Sequence, residues 1–307
     1  MYKILFLIQI FLFTQFSNLT AQTSKEAPTP GTLTNIDFSS EHIGSRNIDI
    51  WVPDIPGYTG PYAVIYMQDG QKIFQNKTRG DEEAWGISET LSRLMNKNTI
   101  IPCMVVGIWN AGAYRVPEYF PQKAFENLPQ QFKDLAKQFA TARGLDGSGI
   151  QSDAYLKFLT EELKPYIDSL YPTAPDQKNT FIAGSSMGAL LSIYAICEYP
   201  EVFGGAACLS THWPGLFSHD NNPIPEAIFD YMEENLPKAG NHKLYFDYGT
   251  ESLDALYEPY QKQMDKILKS KGYTSEDWVT KKFDGESHTQ TAWKKRLHIP
   301  MSFLLGG

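Results

Sequence analysis

Phe181-Ile182-Ala183-Gly184-Ser185-Ser186-Met187-Gly188-Ala189-Leu190-Leu191-Ser192 decides how this chain is read. An apolar run leads in from Thr180, and residues 187–197 read as a buried helix leading out. Between them lies G-x-S-x-G with Ser186 at its centre, in the context strand, sharp turn, helix. Such a turn lifts one hydroxyl above the carboxyl end of a sheet. Gly184 and Gly188 are required because a side chain at either place would collide with the adjoining strand or helix. The pentapeptide alone is a weak signal. Its weight comes from these flanks and from an acid and a histidine that follow it in that order.

Outward from this turn, strands and helices alternate. Strands are predicted over 63–67, 103–109, 180–183, 205–209, 243–248 and 279–283. Helices are predicted over 85–96, 125–143, 153–170, 187–197, 227–235, 255–270 and 289–304, with Ser152 as a cap and Pro165 late in the third. An antiparallel start is expected from 36–39 and 47–52. The alternation requires an α/β fold, with a mostly parallel sheet and helices on both faces. No repeat or linker divides the chain, so residues 35–307 read as one domain.

The first residues read differently. Lys3 is followed by a nearly unbroken apolar run over 4–16, then by small polar residues ending Leu19-Thr20-Ala21-Gln22. Residues 1–21 are expected to be a secretory signal peptide, too short for a comfortable span, and 22–34 a disordered tether. No Cys follows the run, so no lipid or other stable membrane anchor is expected, and the mature protein should be periplasmic or secreted. A net charge of −8 without a long basic run argues against a nucleic-acid partner. Cys103, Cys197 and Cys208 sit in apolar runs and read as buried small hydrophobes, with a Cys197–Cys208 bridge left open. The histidines lack metal-ligand spacing and no nucleotide loop is present, so neither metal nor cofactor is expected.

In such sheets chemistry collects at the carboxyl ends of the strands. A serine nucleophile needs a base and a group that orients the base. His288 follows the last strand and suits the base, with His212 as rival. The other histidines (42, 219, 242 and 298) read as surface or packing residues. The acid is Asp254 or Glu251. A short carboxylate favours Asp254, although Asp is also a common helix cap. Asp247 lies within its strand and reads as structural. An oxyanion hole needs two backbone N–H groups: Met187 after the nucleophile, and Gln68 or Asp69 after the 63–67 strand.

Several stretches taken together resemble a known family. Tyr66-Met67-Gln68-Asp69-Gly70-Gln71-Lys72-Ile73-Phe74 is similar to a Y-M-H-D-G-Q-N-L-F segment. Gly107-Ile108-Trp109 with Arg115, Glu118 and Tyr119 resembles V-G-I-x-N…R-x-x-E-Y. The Gly184–Gly188 elbow, the Gly249-Thr250…Asp254 loop and Ser287-His288 with Trp293 complete the resemblance. The family is the esterase group of α/β hydrolases that holds enterochelin esterases, S-formylglutathione hydrolases and feruloyl or acetyl-xylan esterases.

The resemblance implies an α/β-hydrolase fold and an ester hydrolase working through Ser186, His288 and Asp254. Carbohydrate-linked or siderophore esters are the implied substrates. It also implies Arg115 and Glu118 as residues flanking the site, or as an ion pair bracing the loop. Gln68 departs from it, standing where the family usually has His. The loop 210–225, with His212, Trp213 and Phe217, is expected to shape the substrate pocket. The same machinery could serve an acyltransferase, and an inert carbohydrate-binding homologue could keep the fold.

Overall fold

The computed structural model describes residues 31–74, 84–142, 144–145, 149–216 and 221–306. The expected signal peptide, the tether up to residue 30, Arg143, Phe217 and His219 lie outside them. The described strands form one sheet of eight, in the order β1-β2-β4-β3-β5-β6-β7-β8. Strands β1 (Thr32–Phe38) and β2 (Arg46–Val52) form the antiparallel start, and β2 continues antiparallel onto β4 (Cys103–Ile108). From β4 onward every pairing is parallel, through β3 (Ala63–Gln68), β5 (Thr180–Ser185), β6 (Gly205–Leu209), β7 (Lys243–Glu251) and β8 (Trp278–Ser287). This is the mostly parallel α/β-hydrolase sheet the sequence calls for.

The central strands β3 to β6 are buried along their whole length, as parallel strands covered on both faces must be. Alternation along β3 sends Val64 and Tyr66 into one core, while Ala63, Ile65 and Met67 enter the other. Helix α1 (Ile87–Asn96) packs its Ile87, Leu91, Leu94 and Met95 into the second core. The first core holds the helix that leaves the elbow, through residues such as Leu190, Leu191 and Ile193.

The helical segments are shorter than their apolar pattern suggests, because prolines interrupt them. The stretch after β4 is divided into α2 (Arg115–Tyr119), α3 (Gln122–Glu126) and α4 (Gln130–Ala142). Pro129 has no N–H to continue α3, and its carbonyl instead starts α4 by accepting from Phe132 N–H at 2.9 Å.

The next helix runs as α5 (Ser152–Lys157), a π-helical turn (Phe158–Leu163) and α6 (Lys164–Leu170). The wider turn sits just ahead of Pro165, which can neither donate nor tolerate the carbonyl four residues back. Ser152 is not the cap expected of it. It lies inside α5, and its hydroxyl accepts from Gln122 N–H at 3.0 Å, tying α5 to α3.

Helix α7 (Met187–Glu198) is buried on every side from Met187 to Cys197. Then follow α8 (Ile224–Asn235), α9 (Glu258–Ser270) and, in place of one terminal helix, α10 (Gln290–Arg296) and α11 (His298–Leu305). The three cysteines are buried and unbonded, so Cys197 and Cys208 are not paired. No helix among the described residues is long and apolar enough to cross a membrane.

Candidate active site

Strand order reverses direction at β3, since β4 lies on one side of it and β5 on the other. The crevice beyond such a switch point is where open α/β sheets take ligands. Two of the nominated groups arrive there: Gln68 and Asp69 from β3, and Ser186 from β5.

Ser186 occupies the turn between β5 and α7 with φ 56° and ψ −120°, a conformation that L-residues adopt only under strain. The surroundings fix it. Its N–H donates to Leu209 O at 2.9 Å, and its carbonyl accepts from His212 N–H at 3.2 Å and Leu190 N–H at 3.2 Å. A Cβ on Gly184 would fall 2.6 Å from the Gly188 carbonyl carbon, so strand and helix cross here backbone to backbone. A Cβ on Gly188 would lie 3.0 Å from Gln68 Cβ, which places the end of β3 against the first turn of α7. Met187 is the first residue of α7, where a backbone N–H has no carbonyl within the helix to meet.

His288 and Asp254 come together from the ends of β8 and β7. His288 Nδ1 stands 2.5 Å from Asp254 Oδ1, and His288 N–H donates to Ser252 Oγ at 3.0 Å. Trp293 lies edge-on to the imidazole at 5.0 Å between centroids. Asp254 is fully buried in the short turn Ser252–Leu256, and its Oδ2 accepts from Gly249 N–H at 2.7 Å and from Ser210 Oγ at 2.6 Å. Burial pushes its carboxyl up, but the bonds from His288, Ser210 and Gly249 outweigh burial and hold it below the usual carboxylate range. Glu251, the other acid considered, ends β7 with an exposed side chain. Asp254 is therefore not merely a helix cap.

His212 sits beside the elbow with both ring nitrogens engaged. Its Nε2 lies 2.9 Å from Gly215 O, which requires a proton on Nε2. Its Nδ1 then accepts from Tyr257 Oη at 2.6 Å. Burial, with His288 nearby, lowers its pKa to about 4, so it stays neutral near pH 7. Tyr257 stands between the two histidines, with its ring 5.8 Å from each.

The substrate-flanking expectations divide. Arg115 does not pair with Glu118. It forms a two-point ion pair with Asp69, Nε to Oδ1 at 2.7 Å and Nη2 to Oδ2 at 2.8 Å, and remains about a quarter exposed. Asn110 Nδ2 donates to the same carboxylate at 2.7 Å. Asp69 itself has φ 57°, and its N–H points to Tyr119 Oη at 3.3 Å.

Glu118 is buried and bound to Arg46 at 2.6 Å, so it braces α2 against β2 instead of facing a substrate. Burial raises its carboxyl to about 7, although Arg46 pulls it down. Trp213 is also a correction. It is fully buried, packed on Phe246 and Phe229, and donates Nε1–H to Gln261 Oε1 at 3.2 Å, so no face is left for a ligand. Gln68 is buried as well, its Oε1 accepting from Tyr155 Oη at 2.5 Å.

A cavity of about 340 Å³ lies between α2, α3 and α4, and none of Arg115, Ser186, Asp254 and His288 is among the residues that line it. Val116, Phe125, Ile150 and Leu216 supply apolar wall, and Lys133 and Lys137 of α4 supply cationic groups. Sequence reading missed this cavity, since its walls come from five separate segments. It also missed Ser210, Tyr257 and Arg296, for which no local motif exists. No cluster of three metal-binding side chains occurs among the described residues.

The fold and the elbow define a hydrolase of the α/β class. A family model described as "Putative esterase" matches residues 40–298, and the chain belongs to that family of carboxylic ester hydrolases. The ferri-bacillibactin esterase BesA of Bacillus subtilis is 27% identical over 195 residues, 62% of this chain and 62% of that protein. Among solved structures, the enterobactin esterase FES of Shigella flexneri, crystallised with 2,3-di-hydroxy-N-benzoyl-glycine, gives a TM-score of 0.64 at 16% identity. That match covers 91% of this chain and 60% of that one. A ferulic acid esterase gives a TM-score of 0.61 at 15% identity, covering 90% and 98%. The matched regions thus cover about three-fifths of BesA and of FES.

Proposed function

We propose that this chain is an exported serine esterase in which Ser186 attacks an ester carbonyl. His288 takes the serine proton and returns it to the leaving alcohol. Asp254 orients the imidazole and offsets the charge it gains. The N–H of Met187, with one from the Gln68–Asp69 segment, receives the oxyanion. Gln68 is the last paired residue of β3, and Asp69 N–H lies 3.3 Å from Tyr119 Oη at the start of the following turn. Water then releases the acid from the acyl-enzyme.

The observation that carries this reading is the 2.5 Å contact from His288 Nδ1 to Asp254 Oδ1. It leaves Nε2 as the nitrogen for proton transfer.

The similarity to esterases of bacillibactin, enterobactin and ferulic acid supports an aromatic acyl group as the preferred cargo. The cavity between α2 and α4 has a volume of about 340 Å³ that suits a substituted ring, with apolar wall from Val116, Phe125, Ile150 and Leu216 and charged groups of both signs from Lys133, Asp134 and Lys137. Phenolic acyl esters of siderophore or feruloyl type fit that description better than acetyl esters. Export rests on Lys3 and the apolar run behind it. The mature catalytic unit would begin by Thr32, earlier than the expected boundary at 35, because Thr32, Leu33 and Thr34 already pair with β2 in strand β1.

A panel of p-nitrophenyl, feruloyl, acetyl-sugar and catecholate-siderophore esters tests the activity. Turnover of the phenolic esters should exceed that of acetyl esters, and Leu216→Trp should reduce the difference. Equal turnover of all classes would remove the cavity from the account. N-terminal sequencing of exported protein should find a start near Gln22.

A further inference from the structure

We infer that Ser210 is a positioning residue for the acid, donating its single hydroxyl proton to Asp254 and linking that carboxylate to the buried Arg296–Asp247 pair. The inference rests on the reading of Asp254 and His288 as the orienting acid and the base.

Chemistry fixes the direction of the bond. Ser210 Oγ has three neighbours: Asp254 Oδ2 at 2.6 Å, Trp293 Nε1 at 2.9 Å and Arg296 Nη2 at 2.9 Å. Indole and guanidinium nitrogens can only donate, so they take both lone pairs of the hydroxyl. The one proton left must point at Asp254. Ser210 therefore cannot turn away without stranding two buried donors. Arg296 is itself held by Asp247 through Nη2 to Oδ1 at 2.9 Å and Nε to Oδ2 at 3.1 Å. Its guanidinium is 3.9 Å from Asp254 Oδ2, beyond direct bonding, so the hydroxyl bridges that gap.

The backbone at Ser210 argues the same way. Its φ is 47°, a region suited to glycine, yet a serine stands there. Its N–H is pinned by Asp247, through O at 2.9 Å and Oδ1 at 3.1 Å. Trp293 meets both ends of the system, giving its N–H to Ser210 and meeting the His288 ring in a T-shaped contact. With Oδ2 held by Ser210 and Gly249, Oδ1 is the oxygen left to face Nδ1.

The titratable and charged groups facing Asp254 are His288, Arg296 with Asp247 behind it, Tyr257, and His212 beyond Tyr257. A donor on a carboxylate lowers its proton affinity. Removing Ser210 Oγ therefore raises the proton affinity of the Asp254–His288 pair as a unit. Activity should then need a higher pH to appear.

The test compares wild type with Ser210→Ala and Ser210→Gly, the second chosen because glycine suits the backbone if alanine fails to fold. A fluorophosphonate probe reports the reactivity of Ser186 without knowledge of the natural ester, and mass spectrometry locates the label. Both variants should label Ser186 roughly tenfold more slowly. They should keep KM for a p-nitrophenyl ester within about twofold, and shift the rising limb of kcat/KM upward by about half a pH unit. Labelling at the wild-type rate, or slow labelling with an unmoved limb, would overturn the role of Ser210 and leave the esterase reading intact. A wild-type protein that the probe does not label at Ser186 would overturn that reading and the inference resting on it.

Discussion

The imidazole of His288 and the carboxylate of Asp254 meet at 2.5 Å from segments that follow two neighbouring parallel strands, β8 and β7. The approach depends on Gly249. A Cβ there would fall 2.0 Å from Glu286 O, so only glycine lets the two strand ends close on each other. The same residue donates its N–H to Asp254 Oδ2 at 2.7 Å. One position thus sets both the spacing of the loops and the aim of the acid.

Ser186→Ala should abolish ester hydrolysis, with kcat falling by a factor on the order of 10⁶. Folding should be untouched. Ser186→Gly should be equally inactive but more stable by about 1 kcal/mol, because glycine relieves the φ 56° turn. Steady-state kinetics and thermal unfolding of the pair check both statements. Residual activity above about a tenth of wild type would reassign the nucleophile.

Asp254→Asn should lower kcat by about 10⁴, since an amide holds the wrong imidazole tautomer. Glu251→Gln, at an exposed side chain, should change kcat by less than about twofold. The reverse ranking would move the acid to Glu251.

His212 gives a stability signature separable from catalysis. Its folded pKa of about 4 lies below the ordinary histidine value, so the unfolded chain binds the extra proton as pH falls. Its contribution is complete above about pH 6.5 and is lost towards pH 4, with roughly 2–3 kcal/mol at stake. His212→Gln should flatten that part of the pH–stability curve relative to wild type. Its kcat should fall far less than that of His288→Ala. Equal losses in kcat would mean that His212 moves a proton.

Glu118 should act in the opposite sense. Its folded pKa of about 7 lies above the ordinary glutamate value, so the native state binds more protons between about pH 4.5 and 7. Stability from this group falls as pH rises through that window, by at most roughly 3 kcal/mol. Glu118→Gln keeps an acceptor for Arg46 and removes the ionisation. The free-energy difference between variant and wild type should move in favour of the variant from pH 5 to pH 8. A difference independent of pH would show that Arg46 keeps Glu118 ionised throughout.

The chain sequence alone determined the parts of this protein that local geometry governs. Unbroken apolar runs mark strands covered on both faces, and the runs at Ala63, Cys103, Phe181 and Gly205 are those strands. Gly184 and Gly188 around Ser186 announce a backbone crossing, because no other residue lacks the Cβ that would block it. The order serine, acid, histidine along the chain nominated Ser186 and His288, and folding brings His288 Nδ1 to 2.5 Å from Asp254 Oδ1.

Tertiary structure decided what depends on which segments become neighbours. Arg115 binds Asp69 instead of Glu118, which sits three residues away on the same short helix and turns to Arg46 on β2. Trp213 looks like a pocket residue by position, yet β6 delivers it into the core under α8 and α9. Asp254 and Glu251 differ by three positions, and only the packing of β7 on β8 buries one carboxylate and exposes the other. Ser210 carries no motif, because its three partners come from β7's loop and α10, distant in sequence. Periodicity and steric exclusion are written residue by residue. The partner of a buried polar group is set by long-range approach, where desolvation makes an unpaired neighbour costly.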